Sequence, residues 1–413
     1  MNDFNFFDLD MFAKGTPYEA FKYLRKHEPV SWHSMPAPLE HQGFWLVTKY
    51  KDICEIGRQP KIFFSNAGTI LEDTIRSSDP MYAMANDGLA HLDDPNHSKL
   101  RRPLMPMFST SAMKNLKDSI RGRVVDILDQ AEKLKTFDFV EIIATPLPVR
   151  AVYQDILGID EEDLGAATLW GELFNRVHCI TAKDREYYPI KSLAGSEFVS
   201  LYEYGVKAFR LKRDVPTDDI LSVIANMKFE NSGPITEKEF LSYYWSLMIG
   251  AFDTTASALA TAAHELSTNH EQADKLYSNV SFLDRAVDEM IRWDTPVNYF
   301  RRTASKDYEL NGQLIRKNDR VVMCFASGNR DEDVFENPDV FNIERERNKH
   351  LSFGHGQHFC LGSGLAHLEI RTFFEEVINR DIKFDVTGPI ERSRSNFINR
   401  IVKMPVQIMG NLS

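Results

Sequence analysis

One cysteine in this chain stands in surroundings unlike those of the others. Cys360 lies within F-G-H-G-Q-H-F-C-L-G-S-G-L-A-H-L-E, where glycines and histidines precede it and a helix-like run follows. A thiolate is a good ligand for a borderline metal, and zinc sites combine three or four such ligands. His355, His358 and His367 make a zinc cluster conceivable, although H-x-x-H-x-C matches no common structural zinc pattern. A catalytic cysteine beside a histidine is a second alternative, which leaves the glycines unexplained.

A haem-thiolate site accounts for more of this loop. A flat macrocycle must approach the backbone closely, and glycine permits both that approach and the positive φ angles of a tight hairpin. A helix beginning at Cys360 would direct free N–H groups at the sulfur, and these donors and the helix dipole would lower the pKa of the thiol. Phe353 would cover the proximal face of the macrocycle. The residues therefore favour haem, with zinc binding and covalent catalysis as open alternatives.

The composition limits the classes of protein to which the chain can belong. It has 413 residues, 43% of them hydrophobic, and 49 Lys+Arg against 60 Asp+Glu, which gives a formal net charge of −11. This acidic balance argues against general nucleic-acid binding, which needs a basic surface. The start M-N-D-F-N-F-F-D-L-D lacks the features of a signal peptide, and no stretch has the roughly 18 apolar residues of a membrane span. We therefore expect a soluble, cytoplasmic protein without a membrane anchor.

The remaining cysteines are Cys54, Cys179 and Cys324, and they form no C-x-x-C pair. Disulfides are not expected in a chain of this size without a secretion signal. Cys54 and Cys324 stand in the apolar runs D-I-C-E-I and V-M-C-F. They are therefore predicted to be buried structural thiols.

Helices dominate the middle of the chain, and strands cluster toward its two ends. Apolar positions recur with helical spacing from about Ser111 to Glu289, and a further helix is predicted over 279–293. G-F-W-L-V-T-K-Y, R-V-V-M-C-F-A and S-N-F-I-N-R-I-V-K-M-P-V-Q-I are strand-like, and Asn311-Gly312 is a strong two-residue hairpin signal. The pattern indicates one large α+β unit, with a two-domain chain divided near residue 230 as the weaker alternative.

The loop F-G-H-G-Q-H-F-C-L-G resembles the F-G-x-G-x-H-x-C-x-G haem-binding loop of the cytochrome P450 superfamily. It matches at every specified position, including Phe353, Gly354, His358, Cys360 and Gly362. The resemblance extends over nearly the whole chain and implies the soluble bacterial type, with haem b (iron protoporphyrin IX) held by Cys360. It also implies a single P450 domain over 1–413, mainly α with small β-sheets, whose β-rich parts lie near 30–60, 295–325 and 390–410.

A second family element is the E-x-x-R spacing in D-E-M-I-R, which carries Glu289 and Arg292. Residues three apart share one face of a helix, so the two can form a fork-like ion pair. The resemblance implies that this pair supports the core beneath the haem. Arg345, in F-N-I-E-R, matches the third member of that network.

The segment L-M-I-G-A-F-D-T-T-A-S resembles the long helix that crosses the distal face of the haem. Asp253 and Thr254 match the family pattern, and Ala251 stands where a second glycine is usual. The resemblance implies that Thr254 hydrogen-bonds the bound oxygen and that Asp253 helps to relay protons. From the residues alone, the alternative is that D-T-T only bonds back to the carbonyls of its own helix.

The two propionates of haem need cationic partners. H-L-D-D-P-N-H-S-K-L-R-R resembles the family segment with H-x-x-x-R and supplies His97 and Arg101. Arg302, in F-R-R-T-A, occupies the propionate-binding position ahead of the hairpin, and His358 is a further candidate. For each of these residues, an ordinary surface charge is the alternative.

The resemblance implies a haem-thiolate monooxygenase that inserts one atom of O2 into a small apolar molecule. Electrons would come from a ferredoxin with its ferredoxin reductase, or from a flavodoxin. Lys349, His355 and Arg102 offer a docking patch behind Cys360. We expect a monomer. A haem-thiolate sensor without turnover is an alternative of another class, against which the intact acid–alcohol pair argues.

The residues predicted to line the substrate pocket are mainly apolar, which suits an apolar ligand. They come from segments that the resemblance places over the distal face: Met81, Tyr82, Met84, Phe174, Phe252, Val297 and Phe397. T-P-V-N-Y-F-R-R-T-A is most similar to members that act on terpenoids, steroids or alkyl chains. Oxidation or coupling of a phenolic or aromatic natural-product intermediate is the alternative.

Overall fold

The computed structural model describes residues 4–35, 42–71, 84, 87–170, 196–229 and 233–409. Helices make up most of the described chain, as the pattern predicts. The longer ones are, in chain order, α1 (Leu9–Ala13), α2 (Tyr18–His27), α3 (Tyr50–Gly57), α4 (Asn96–Leu104), α5 (Thr110–Leu134), α6 (Ser196–Asp214), α7 (Ile220–Ala225), α8 (Glu237–Thr268), α9 (His270–Ser278), α10 (Leu283–Asp294) and α11 (Ser363–Asn379).

The strands are short and fall mainly in the regions where they are predicted. They are β1 (Val30–Ser34), β2 (Gly43–Val47), β3 (Phe63–Phe64), β4 (Thr136–Asp138), β5 (Lys228–Phe229), β6 (Gly233–Pro234), β7 (Tyr299–Ala304), β8 (Tyr308–Leu310), β9 (Gln313–Ile315), β10 (Arg320–Cys324), β11 (Lys383–Val386), β12 (Glu391–Arg392), β13 (Ile401–Lys403) and β14 (Pro405–Met409).

The largest sheet contains five strands in the order β1-β2-β10-β7-β3. Strand β10 is buried at every residue and runs parallel to β2 and antiparallel to β7. A strand with neighbours on both sides and covered faces needs a continuous apolar run. This explains why R-V-V-M-C-F-A carries no polar alternation, and it places Arg302 of β7 opposite Val321.

The predicted hairpin is confirmed. Strands β8 and β9 pair antiparallel, with Tyr308 opposite Ile315 and Leu310 opposite Gln313. Asn311 and Gly312 form the turn with φ angles of 50° and 76°. Positive φ at both central residues matches the twist of the flanking strands, and Asn-Gly tolerates it best.

Two features of the predicted helical region differ from the prediction. The helix expected over 279–293 begins at Leu283, because a 3-10 turn over Val280–Phe282 precedes it and the Asn279 side chain accepts from the Ser281 N–H. Strand β4 interrupts the region and pairs with β14 near the C-terminus. The local pattern carries no information about so distant a partner.

Helix α8 is the longest described helix, with 32 residues, or roughly 48 Å at 1.5 Å per residue. Its start has a capping box, in which the Thr236 hydroxyl accepts from the Glu239 N–H and the Glu239 carboxylate accepts from the Thr236 N–H. Small residues such as Ala256, Ala260 and Ala263 are buried along it. The helix can therefore lie close to its neighbours.

The main apolar core includes residues from Met84 to Ile408, on both sides of position 230, so the described residues do not divide there. Cys54 and Cys324 are buried as predicted, and burial raises the pKa of Cys324 to about 12. Cys179 lies outside the described residues. Within the part of the chain that the structure describes, no helix has the length and apolar character needed to cross a membrane.

Candidate active site

The Cys360 loop is a closed hairpin that precedes α11. The Cys360 N–H donates to the Phe353 carbonyl at 2.8 Å, and the Gly354 N–H donates to the Leu351 carbonyl at 2.8 Å. Gly354 and Gly356 have φ angles of 73° and 80°, which side chains rarely adopt. A Cβ at Gly356 would lie 2.0 Å from the Gly57 carbonyl oxygen of α3. These glycines therefore allow both the turn and its close packing on α3.

The Cys360 side chain is exposed to an internal cavity and is otherwise surrounded by protein. Burial raises the pKa of its thiol, while the Gly362 N–H, the Arg101 charge and the Ser363 N–H lower it. The predicted N–H donors at the start of α11 are present and lower the pKa as expected, but burial outweighs them, so the pKa of the unligated thiol is raised. Coordination to a metal ion removes the proton of a thiol outright.

The cavity has a volume of about 300 Å³ and unites most of the predicted site residues. Its wall includes Cys360, Thr254, Ala251, Phe353, Gly354, Gly362, His97, Arg101, Arg302 and His358. These residues come from four separate parts of the sequence, namely α4, α8, β7 and the cysteine loop. The structure therefore places the thiol, the D-T-T helix and the predicted propionate partners around one space.

The cationic residues gather at one side of this cavity. The His97 and His358 ring centroids are 4.3 Å apart, and Arg101 donates to the Phe359 carbonyl. Burial lowers the pKa of His358 to about 2, helped by the charges of Arg302, His97 and Arg101. Burial likewise lowers the pKa of Arg302 to about 10. The charges of Arg101 and Arg302, with the uncharged His358 imidazole beside them, suit this cluster to an anionic ligand.

The donor set fits haem b. His97 Nδ1 lies 3.1 Å from the Gln357 amide, but its Nε2 has no hydrogen-bond partner among the described residues, although His97 is 1% exposed. A buried polar atom without a partner is costly unless a ligand satisfies it. Two carboxylates at one edge of the macrocycle would pair with these donors, while the Cys360 sulfur faces the same cavity.

Helix α8 presents adjacent residues in different directions. Thr254 lines the cavity, and its hydroxyl donates to the Gly250 carbonyl at 3.2 Å, the back-bond that the residues alone suggest. Asp253 is absent from the described cavity wall and is 3% exposed. Its carboxylate accepts from the Arg400 guanidinium, and this buried pair has side-chain exposures of 7% for Arg400 and 5% for Asp253.

Arg400 is a residue that the sequence analysis missed. It also donates to the Thr145 hydroxyl at 3.2 Å, and its guanidinium carbon Cζ lies 5.3 Å from the centroid of the Phe252 ring. A second cavity of about 480 Å³ includes Arg400, Thr145, Glu141 and Glu161 in its wall. The only signal available was that a buried aspartate needs a cation, because nothing in the sequence indicates which of 49 basic residues supplies it.

The E-x-x-R pair and Arg345 meet as the sequence suggests. Arg292 donates two hydrogen bonds to Glu289, at 2.7 and 2.8 Å, and Arg345 donates to the same carboxylate at 3.0 Å. Asn348 adds a bond at 3.0 Å, and the Asn342 N–H adds one at 2.9 Å. Glu289 is 0% exposed, so its charge is balanced within the protein.

The predicted substrate-pocket residues separate into three groups. Val297 lines the cavity. Phe252, Phe397 and Met84 are 0%, 3% and 1% exposed and pack in the apolar core, away from the described cavity wall. Phe252 stacks near Tyr153, at 6.3 Å between ring centroids. The remaining candidates, Met81, Tyr82 and Phe174, lie outside the described residues.

Other cavity-lining residues were not predicted from the sequence. The apolar ones include Leu89, Leu247 and Phe300. Glu369 of α11 also lines the cavity, is 1% exposed, and has one carboxylate oxygen without a partner among the described residues. Burial raises the pKa of Glu369 to about 8, so this carboxyl is mainly protonated at neutral pH.

Comparison with known proteins identifies the class. The cytochrome P450 family model matches residues 206–408. Linalool 8-monooxygenase of Pseudomonas putida is 31% identical, over 97% of each chain. Steroid C26-monooxygenase of Rhodococcus jostii is 32% identical, over 98% of this chain and 84% of that protein. A Mycobacterium marinum cytochrome P450 in complex with pseudoionone has a TM-score of 0.86 and 30% identity, over 96% of each chain.

The chain therefore belongs to the cytochrome P450 family. It is a haem-thiolate monooxygenase with the P450 fold, and its cofactor is haem b.

Proposed function

We propose that this P450 hydroxylates a small apolar molecule of the terpenoid, steroid or alkyl-chain type. The observation that carries the proposal is the single cavity around which Cys360, Thr254 and the cationic cluster lie together, with apolar walls on its remaining sides. Ligand pockets of this kind have mostly apolar linings and a few convergent polar groups that set orientation.

Several residues of the cavity would hold the cofactor. Cys360 would hold the iron through its sulfur, and Phe353 would pack against the cofactor beside it. Arg101, Arg302, His97 and His358 would bind the propionates, and the carboxylates would offset the cost of burying the Arg302 guanidinium. When bound, haem b supplies the reductive activation of O2.

Thr254 and Asp253 handle protons on the opposite side of the cavity. The Thr254 hydroxyl faces the cavity. Its proton, which now bonds the Gly250 carbonyl, can instead be donated from Oγ1 into the cavity. Asp253 connects this turn of α8 to Arg400 and so to the second cavity, whose wall carries Glu141 and Glu161. We propose that protons pass along this series of polar groups, with the Asp253 carboxylate turning from Arg400 toward Thr254 and back. Ala251, beside them, lines the cavity and limits how closely a ligand approaches the helix.

Relatives support the substrate class by their names. One similar protein is named for linalool, one for a steroid, and one structure contains pseudoionone, and all of these ligands are largely apolar. Leu89, Leu247, Val297 and Phe300 provide apolar contact area for such a ligand. Oxidation or coupling of a phenolic intermediate is the alternative. A carrier-bound substrate is another outcome of the test below, because one similar structure, at 25% identity and a TM-score of 0.86, is a complex with a fatty-acid-loaded acyl carrier protein.

Electrons reach the site from a ferredoxin with its reductase or from a flavodoxin. Lys349 and Arg102 are exposed and His355 is partly exposed, and we propose that they form the docking patch behind Cys360. Local positive charge of this kind attracts an acidic partner even when the net charge of the protein is negative.

A spin-state titration of the ferric protein tests the substrate class. Terpenoids, steroids, fatty acids and phenols are added separately to the purified holoprotein. We expect a low-to-high-spin shift with a member of the first three groups, because an apolar ligand displaces water from the cavity. A shift with phenols alone favours the aromatic alternative, and no shift with any free compound favours a carrier-bound substrate.

The proton-handling role of Thr254 has a separate test. Thr254→Ala removes the hydroxyl that faces the cavity and should lower the ratio of product formed to reducing equivalents consumed by roughly tenfold or more. Thr268→Ala, at the exposed end of the same helix, is the control and should leave the ratio unchanged. Equal ratios for Thr254→Ala and the wild type would remove Thr254 from the proton path.

A further inference from the structure

A cluster of potential metal ligands lies beside the cysteine loop, outside the described wall of the substrate cavity. It consists of Asp288 of α10, His350 just before the loop, and His367 of α11, and one ligand atom from each lies within 4.8 Å of the others. His367 Nε2 is 2.8 Å from Asp288 Oδ1, and His350 Nε2 is 4.0 Å from the same oxygen. None of the three lines the cofactor cavity.

His350 distinguishes this cluster from an ordinary ion pair. Its side chain is 6% exposed, and its Nδ1 is buried without a hydrogen-bond partner in the described part of the chain. Its Nε2 comes no closer than 4.0 Å to Asp288. The polar groups of a protein interior are normally paired, and the described residues give this imidazole no hydrogen bond. An ion between His350 Nε2 and Asp288 Oδ1 would give the ring a bonding partner.

We propose that Asp288, His350 and His367 form a binding site for a divalent transition-metal ion of the zinc class. Two imidazoles and one carboxylate are ligands that zinc prefers, and three protein ligands leave a fourth position for water. With bonds of about 2.0–2.1 Å, a tetrahedral site needs ligand atoms roughly 3.3 Å apart. The observed separations of 2.8 and 4.0 Å are within a side-chain adjustment of that value.

The site is open on one side and anchored on the other. Asp288 and His367 have side-chain exposures of 42% and 35%, so an ion and its water can enter from solvent. His367 is held by a second contact, from its Nδ1 to the Ser363 carbonyl at 2.8 Å. A partner on the far nitrogen of a ligating histidine sets the orientation of the ring and the tautomer needed for binding.

The location gives the ion a structural effect on the cysteine loop. The Phe353 ring, which belongs to the cavity wall beside Cys360, lies 5.5 Å from the His350 ring and 5.2 Å from the His367 ring. A bound ion would join α10, the segment before the loop and α11, the elements between which Phe353 is held. Metal binding should therefore stabilise the native protein and its hold on the cofactor. This inference does not depend on the proposed substrate.

The test uses untagged, haem-loaded protein that has been treated with a chelator and dialysed. Zn²⁺ is added in a calorimetric titration, and bound zinc is counted by elemental analysis after gel filtration. We expect one equivalent of Zn²⁺ per chain. His367→Gln and Asp288→Asn should each weaken the affinity by at least tenfold, because each removes one ligand. His270→Gln, an exposed histidine on α9, should bind as the wild type does.

A second measurement separates ligand loss from damage to the fold. Zn²⁺ should raise the thermal unfolding midpoint of the wild type and of His270→Gln, and should leave that of His367→Gln unchanged. The absorption spectrum of each variant verifies that haem is retained. Failure to retain one equivalent of Zn²⁺, or equal affinities for the wild type and His367→Gln, would overturn the proposal and leave Asp288–His367 as an ion pair only.

Discussion

The buried pair between Asp253 and Arg400 gives the sharpest energetic prediction. Arg400→Met keeps a long apolar side chain against Phe252 but removes the cation that faces Asp253 and Thr145. The exposures of the pair are 7% and 5%, so water cannot replace the lost charge without rearrangement. Removing one partner of a buried ion pair costs about 3–5 kcal/mol, because the remaining buried charge loses that interaction.

The double variant tests whether the two side chains act together. Asp253→Asn removes the carboxylate, and the pair Asp253→Asn with Arg400→Met leaves neither charge. If the ion pair is as the structure describes it, the double variant should be more stable than the sum of the single effects predicts, by roughly 1–3 kcal/mol. Urea unfolding followed by far-UV circular dichroism supplies the four free energies of unfolding.

A neighbouring surface pair provides the control. Lys403 and Glu391 are 3.2 Å apart, with side-chain exposures of 58% each. Lys403→Met should change the free energy of unfolding by no more than about 1 kcal/mol, since solvent screens an exposed pair. If Arg400→Met costs no more than Lys403→Met, or if the effects at Asp253 and Arg400 are additive, the ion pair carries no stabilisation of the kind described.

Two further predictions follow from the cavity and the loop. Burial raises the pKa of Glu369 from 4.5 to about 8, so the native state holds one proton more than the unfolded state between those pH values. The free energy of unfolding should therefore fall by roughly 1.4 kcal/mol for each unit by which the pH rises across that window. Glu369→Gln should remove this slope, which urea unfolding at pH 6 and pH 7.5 measures, and an unchanged slope would contradict the burial argument. Gly356→Ala should lower the haem content of the purified protein, because the new Cβ would lie 2.0 Å from the Gly57 carbonyl oxygen at a φ of 80°. Gly122→Ala, where the new Cβ would meet no atom within 4 Å beyond its chain neighbours and the backbone of its own helix, is the control; it should retain haem and stabilise α5 by up to about 1 kcal/mol. Equal haem content in the two variants would show that the close approach to α3 is not required.

The elements that the sequence predicts best are local ones. The Asn311-Gly312 hairpin depends on positive φ angles at adjacent residues, which the side chains themselves select. The Glu289–Arg292 pair depends on a spacing of three along one helix. In such cases the residues that decide the geometry are neighbours in the chain, so their pattern is sufficient.

Long-range partners could not be predicted in this way. Arg400 is 147 residues from Asp253, and no local pattern connects them. Strand β4 forms only because β14 returns beside it. Phe252 and Phe397 illustrate a different limit, because a large apolar side chain suits a core and a ligand cavity equally well. The pKa of Cys360 depends on the balance of burial against N–H donors, and only the folded structure supplies the first of these.

The measurement that tests the central claim most directly is the absorption spectrum of the reduced carbonyl complex of Cys360→Ser. Among the cysteines that the structure describes, Cys360 lines the cavity, whereas Cys54 and Cys324 are buried in the apolar core. The variant should therefore lose the thiolate-type spectrum, while Cys54→Ser retains it. A thiolate-type spectrum in Cys360→Ser would mean that another residue binds the iron, and the assignment of the site around Cys360 would be wrong.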